Sequence, residues 1–553
     1  MAQTQITITN TNGGGKIPTQ TTKMGGWHAA IFITCVEFAE RFSFQGLSAN
    51  LITYLTKELK QSIVEATENV NTWTGVSALF PLLGGFLTDS YFGRFNTIVV
   101  SSFIFLFGMV MLTLSVSVSV MKNEALFFIS LYVLSLGDGG HKPCVQTFAA
   151  DQFDEETEDQ RNAKSSFFNL WYLVIVIACT SSVFIIVYLQ DHYGWTLGIG
   201  VLPGLWAIAI VVFFLGLKRY KRESPRGSPF KSVAQVIVAA IRKWRLKDKS
   251  NPEKYWHDHD INLHSTGYLS SPTLEHTNQF RFLDKAMIVD EHDTSSNTRD
   301  PWRLCSLNQV EEVKLILRLI PAWLSCLMFV VVQSQLFTFF VKQGSTMNRY
   351  LGPHFQISPA SLGGVVGVII LFAVAFYDRV FVPIARKFTG HNSGITVLQR
   401  IGTGLFCSTL CMVISALVEA KRVNNASINN NVAGFSRMSI WWLLPQYALL
   451  GIGDAFTIVG LQELFYTQMP ESMRSVGAAA YISVVGIGNF VANAIIDVVM
   501  AITSKTGGKW LAGNNLNKAH LDYFYWVLAG LCAVNLCVYV CHSRSFVYKK
   551  VHV

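Results

Sequence analysis

The sequence predicts an all-α membrane protein with twelve transmembrane helices in two six-helix bundles. Three observations carry this expectation. Of 553 residues 51% are hydrophobic and only 14% charged, a balance that a soluble domain of this size would not keep in solution. Apolar runs of roughly 18 residues or more, enough to cross about 30 Å of hydrocarbon as a helix, recur along the chain. The pattern breaks from about Lys218 to Asn308, leaving six runs on either side.

The elements follow in order. Residues 1–26, with "QTQITITNTNGGGK", are polar and lack a signal peptide's apolar middle, which predicts a disordered cytosolic tail. Residues 27–217 form the first bundle, with spans beginning near Trp27, Thr72, Thr97, Glu124, Ser166 and Trp195. A cytosolic linker covers 218–308. Within it Val233, Ala234, Ile237, Ala240, Ile241 and Trp244 recur at helical spacing among Lys231, Arg242 and Arg245, predicting a basic amphipathic helix at about 230–247 along the inner leaflet. The second bundle, 309–543, has spans from Leu317, Pro359, Gly394, Met438, Ser475 and His520, and residues 544–553 are a cytosolic tail. Basic stretches "KRYKR" (218–222), "ARK" (385–387) and "YKK" (548–550), with Arg94, fall on one side, so both termini are expected in the cytosol. The acceptor Asn425-Ala426-Ser427 then falls in an outward loop open to glycosylation.

Several function classes drop out. The net charge of +9 serves orientation and contact with the lipid bilayer, and no nucleic acid is expected as a partner. The ten cysteines have no CxxC spacing and predict no disulfide framework. "HDHDINLH" (257–264) lacks established ligand spacing, so no metal is expected. No HExxH, GxSxG or phosphate-cradling glycine loop occurs, which argues against an enzyme.

The informative residues are charges where hydrocarbon should be. "EFAER" puts Glu37, Glu40 and Arg41 near the middle of the first span, with Glu37 one helical turn from both others. Charges at that depth cost about 2.5 to 3.5 kcal/mol each on insertion scales, so they must pair or line a wet cavity. Lys142, in "SLGDGGHKPC" of the fourth span, supplies a partner. Two carboxylates against two cations make a neutral set, and protonating one carboxylate would release a cation. Chemistry alone leaves two readings open, a static network pinning two helices and a proton-coupled switch. A weak internal echo supports the two-bundle reading: "GGFLTDSYFGR" ends in Asp89 and Arg94, "GGVVGVIILFAVAFYDR" in Asp378 and Arg379, placed where helix ends can be tied together and released.

The motifs "EFAER" (37–41), "GGFLTDSYFGRFNTI" (84–98), "GDGGHKPCVQTFAADQFD" (137–154), "FFN" (167–169), "RFLDKA" (281–286), "WRLCSLNQVEEVK" (302–314), "YDRVFVP" (377–383), "LQRIGTG" (398–404) and "PESMRS" (470–475) occur in order over nearly the whole chain. In this combination the sequence resembles the plant nitrate transporter 1/peptide transporter (NPF) family, in the proton-coupled oligopeptide transporter group. The resemblance implies a major facilitator superfamily fold, alternating-access symport, and Glu37, Glu40, Arg41 and Lys142 as the proton-handling group, with protons as coupling ion and no cofactor.

Substrate positions depart from the peptide-carrying members. Two tyrosines and an arginine after their ExxER motif are here Phe44, Gln45 and Ser48, and an asparagine of the fifth span is Val176. Losing a carboxylate-holding arginine argues against a general peptide site. The histidine that receives nitrate in relatives is here Gln333, which donates hydrogen bonds but carries no charge. Asp454 matches an acidic pocket position, and Glu463 is expected nearer the cytosolic end, as an interbundle contact or a functional residue. Trp171, Phe337 and Phe340 are candidate apolar walls, although an aromatic of this kind taken alone is more often a packing residue. The expected cargo is nitrate or a small organic anion such as a hormone or specialised metabolite, with a di- or tripeptide, or a sensing role on the same fold, as alternatives. Thr97, three residues after Arg94, is a candidate phosphorylation site for a protein kinase, or a helix cap. The membrane is expected to be the plasma or vacuolar membrane.

Overall fold

The structure is a computed structural model that describes residues 25–118, 123–153, 158–222, 229–245, 274–289, 300–352, 355–390, 394–428, 438–469, 474–505 and 510–548, apart from 512, 514 and 518. Ten of the described helices are long and apolar enough to cross a bilayer. Two more have spanning length, Trp27–Ser48 and Glu124–Ala150, and these carry the mid-helix charges. In chain order the twelve are α1 (Trp27–Ser48), α2 (Ile63–Leu87), α3 (Arg94–Ser117), α4 (Glu124–Ala150), α5 (Glu158–His192), α6 (Trp195–Leu215), α7 (Leu307–Ser334), α8 (Leu362–Phe376), α9 (Val397–Ile428), α10 (Leu444–Gln468), α11 (Arg474–Lys505) and α12 (Leu521–Arg544).

Two helices begin well before their apolar runs. Ser62 caps α2 by accepting from the Glu65 amide, and Ser306 caps α7 in a reciprocal box with Gln309. These caps satisfy orphan N–H groups and let a polar first turn stay helical beyond the hydrocarbon. The sequence expectation followed hydropathy and placed both starts later, at Thr72 and Leu317.

Two hydrophobic cores result, one drawn almost entirely from α1 to α6 and the other from α7 to α12. The halves meet along two helix pairs, α2 with α11 and α5 with α8. Small residues set both approaches. A Cβ on Gly75 would stand 3.1 Å from the Gly486 carbonyl, and one on Gly364 only 2.7 Å from the Phe184 ring. Within the first half, a Cβ on Gly84 would collide with the Gly139 backbone, so the glycine of "GGFL" serves α2–α4 packing.

The start of α1 and the end of α12 lie at one end of the bundle. At the opposite, far end, side chains bridge the halves. Asn71 donates to Asn493 at 2.9 Å, Asn493 donates to the Glu68 carbonyl at 3.0 Å, and Lys342 donates to the Thr56 hydroxyl.

The linker contains a helix, Pro229–Arg242, shorter than the expected 230–247. Val236, Ala239 and Ala240 pack on Leu283 and Met287 of the 3-10 turn Arg281–Met287 and on Val310 and Val313 of α7. Ile237, Ile241 and Trp244 face outward, with Trp244 70% exposed. The helix thus has two apolar faces, one against the protein and one open, where a single lipid-facing stripe was expected. Beside it, buried Lys314 is bonded to Asp284, to Glu311 at 2.7 Å and to the Thr277 carbonyl at 2.9 Å. The stretch 257–264 and nearly all of the N-terminal tail are outside the described residues.

Candidate functional site

The i, i+3 and i+4 spacing in α1 stacks Glu37, Glu40 and Arg41 on a face turned into the bundle, where Glu37 and Glu40 are fully buried. Arg41 Nε donates to Glu37 Oε1 at 2.8 Å and stands 3.3 Å from Glu40 Oε2. The Arg41 side chain keeps 26% exposure although it lies deep between helices, so it faces an accessible depression. From α4, Lys142 Nζ approaches Glu40 Oε1 at 3.9 Å and sits 4.0 Å from the centroid of the Phe44 ring. The geometry thus brings together all four residues that the sequence pointed to. It also adds a fifth.

Asp138, one turn before Lys142 on α4 and fully buried, holds the ammonium at 2.5 Å. The expected neutral set of two acids and two bases is therefore corrected to three acids and two bases. The signal was present in "GDGGHK", where Asp138 and Lys142 stand at i, i+4 spacing within the glycine-rich part of the fourth span. His141 is also buried, edge-on to Trp206, with neither ring nitrogen hydrogen-bonded. Donor atoms of Glu37, Glu40 and His141 lie within 4.8 Å of one another, as metal ligands would. Arg41 and Lys142 already supply the compensating positive charge there, so a divalent cation would have to displace them.

In the second half Gln333 on α7 donates to Asp454 Oδ1 on α10 at 2.9 Å, joining two of the expected substrate residues. Phe44 and Gln45 are half-buried, and Phe44 stacks on Trp73 at 5.0 Å. Phe337 is half-buried and packs against both cores. Trp171 and Phe340 are not walls of any opening: the first is buried against Phe167 and the second among Tyr447 and Tyr525.

At the termini end, Arg94 pairs with Asp151, and Arg400 pairs with Glu463 at 3.1 Å. Each pair joins helices of one half, so the expectation of Glu463 as an interbundle contact gives way to a bond within the second half. Arg400 also lies over the Tyr377 ring at 4.4 Å. Asp378 and Arg379 are exposed in the π-helical turn Tyr377–Phe381. Asp89 belongs to the matching turn Thr88–Phe92, and its side chain is outside the described residues. Thr97 is half-buried; its hydroxyl donates to the Gly93 carbonyl at 3.0 Å and accepts from Thr88 at 3.1 Å. It back-bonds within the first turn of α3 and is not the cap, a position held by Gly93. Asn425 lies in the last turn of α9, not in a loop, because the helix runs on to Ile428.

Comparison with known proteins fits this arrangement. The model of the POT family matches residues 95–513. Protein NRT1/PTR family 5.4 of Arabidopsis thaliana is 54% identical over 532 residues, covering 95% of this chain and 96% of that protein. Protein NRT1/PTR family 8.3 of the same plant is 40% identical over 546 residues, covering 96% and 93%. Among solved structures, that of an auto-inhibited POT family peptide transporter aligns with a TM-score of 0.70 at 21% identity, over 93% of this chain and 96% of the other. The POT family transporter PepTSo aligns with a TM-score of 0.71 at 20% identity, over 94% and 98%. These structures share the major facilitator superfamily fold, and the sequence matches go further: the chain belongs to the POT (NRT1/PTR) family of multi-pass membrane transporters, which are not enzymes.

Proposed function

We propose that this transporter is a proton-coupled symporter that moves nitrate or a small organic anion by alternating access. The observation that carries the reading is the buried group Glu37, Glu40, Arg41 and Lys142. Its cations are already held by carboxylates, so an anion can recruit one only when a carboxylate takes up a proton. Binding of cargo and of proton are thereby linked at one place. The bridges at the far end, Asn71–Asn493 and Lys342–Thr56, support a conformation shut on that side. The basic stretches beside the helix ends support a cytosolic placement of the termini, in the plasma or vacuolar membrane. Closure of the termini end would complete the cycle, through Arg94, Asp378, Arg379 and Asp89.

Phe44, Phe337 and the stem of Gln45 offer apolar area worth roughly 25 cal/mol per Å² buried, which favours a partly apolar carboxylate over nitrate. One observation favours a second reading. Gln333 is spent on Asp454, and an ionised Asp454 would repel an anion and attract an ammonium, as a di- or tripeptide carries.

The test is uptake into proteoliposomes holding the full chain, with acid outside, using nitrate, phenylacetate and dialanine as probes while current is recorded. Phenylacetate entering fastest, and accumulating with the proton gradient, supports the reading. Dialanine as the preferred cargo moves the assignment to peptides. Entry of all three unaffected by the gradient overturns proton coupling, and no entry of any with intact protein leaves the sensing role as the better account.

A further inference from the structure

We propose that Asp138 belongs to the proton-handling group and shares a single proton with Glu40. The inference rests on the proton-coupled reading above and adds a residue to it. Glu37, Glu40 and Asp138 give three acids against Arg41 and Lys142, with all three carboxylates essentially inaccessible to water. An unbalanced charge in such surroundings costs several kcal/mol, so the group stays neutral by keeping one proton.

Geometry says where that proton sits. Glu37 is satisfied on one oxygen by Arg41 at 2.8 Å, and Asp138 on one oxygen by Lys142. Glu40 has only the longer approaches of 3.3 and 3.9 Å, and neither of its oxygens has a hydrogen-bond donor. Asp138 Oδ1 also lacks one. The two carboxyl groups, on helices α1 and α4, face the same ammonium, with Lys142 Nζ 2.5 Å from Asp138 and 3.9 Å from Glu40. Two buried carboxylates sharing one ammonium cannot both stay ionised at low cost, whereas one proton held between them supplies a donor to acids that lack one. The remaining ionisable neighbours are His141 on α4, Cys179 on α5 and Tyr481 on α11.

The pairing has a consequence for Lys142. With the proton on the Asp138 side, its grip on the ammonium weakens, and Lys142 is freed from its nearest partner. With the proton gone, both carboxylates compete for Lys142 and retain it. Asp138 is thus a second acceptor through which the proton state of Glu40 reaches the cation. His141, with two unbonded ring nitrogens, is the competing holder of the proton, and the experiment separates the two.

The full chain in lipid nanodiscs is examined by infrared difference spectroscopy across a pH step, reading the C=O band of a protonated carboxylic acid. The unmodified protein is expected to show that band, and Asp138→Asn to lose it, because two acids then balance two bases. Glu40→Gln should lose it as well. His141→Ala should keep it, and Asp138→Glu should keep it at a shifted frequency. Persistence of the band in Asp138→Asn, or its absence from the unmodified protein with appearance in His141→Ala, overturns the assignment. Should Asp138→Asn fail to fold, an unshifted band in Asp138→Glu overturns it instead. The same protein in proteoliposomes keeps this inference apart from the reading beneath it. Gradient-driven accumulation of the three probes intact in Asp138→Asn sinks the role of Asp138 alone, while its absence in the unmodified protein sinks proton coupling.

Discussion

Each half of the molecule buries charge, but in opposite ways. In the second half Arg422 and Glu419 are fully buried one turn apart on α9, and their hydrogen bonds are saturated. Nε and Nη2 of Arg422 each reach a Glu419 oxygen at 2.7 Å, Nη1 donates to Asn517 at 2.6 Å and to Thr346 at 2.9 Å, and Nη2 also reaches the Leu516 carbonyl. In the first half, Glu37, Glu40 and Asp138 leave oxygens without donors, and Arg41 keeps an accessible face. The first arrangement is a rivet, because no proton or ligand can improve it. The second is unfinished, as the proposed proton-handling role requires.

The comparison breaks most sharply at Glu40. Glu40→Gln is expected to abolish gradient-driven uptake while leaving exchange of cargo across the membrane, measured as counterflow; undiminished pH-dependent accumulation would put Glu40 among the rivets. The rivet itself should behave in reverse. Glu419→Ala strands a buried guanidinium and should cost about 3–5 kcal/mol of stability, seen as a lower melting temperature in detergent, with the pH profile of surviving uptake unmoved. A moved profile would erase the distinction between the halves.

Smaller effects sharpen it further. Gln333→His places an ionisable ring beside Asp454 and should shift preference towards nitrate under acidic conditions, measured by competition against phenylacetate. Unchanged preference would remove Gln333 from the substrate path. The smallest effect is expected at Thr97. Thr97→Asp loses the bonds to Gly93 and Thr88 and adds charge near the Arg94–Asp151 pair, so transport kinetics should change modestly relative to Thr97→Ala. Identical kinetics in the two variants would leave Thr97 as a packing residue.

The unfinished site was more legible in the sequence than the finished one. Glu37, Glu40, Arg41 and Lys142 stand out because charge interrupts apolar helices, and helical spacing alone assembles three of them. Asp138 escaped because only Lys142 was weighed as a partner in that segment, although the helix Glu124–Ala150 converts their i, i+4 spacing into an ion pair. Gln333 and Asp454 were each visible, but their hydrogen bond spans 121 positions and exists only through tertiary packing. Phe340 and Trp171 are packing residues, the commoner reading of a lone aromatic, since such a side chain on a helix carries no mark of which side is core. Helix starts were missed at Ile63 and Leu307 because capping chemistry, not hydropathy, decides where a helix outside hydrocarbon begins. The fold class itself rested on composition and run length, which packing cannot override.

The lysine clamp in the linker has a mechanical meaning. Lys314 sits in the second turns of α7 and grips Asp284 and Thr277 of the connecting segment, while Arg318 adds its own bonds to Thr277 and Glu311. The Pro229–Arg242 helix is in turn packed on that segment. The described part of the connector is therefore a lever arm fixed to one half of the transporter. Any tilt of α7 would be delivered to Trp244 at the outer face of the arm, giving the molecule an indole whose surroundings report the position of its second half.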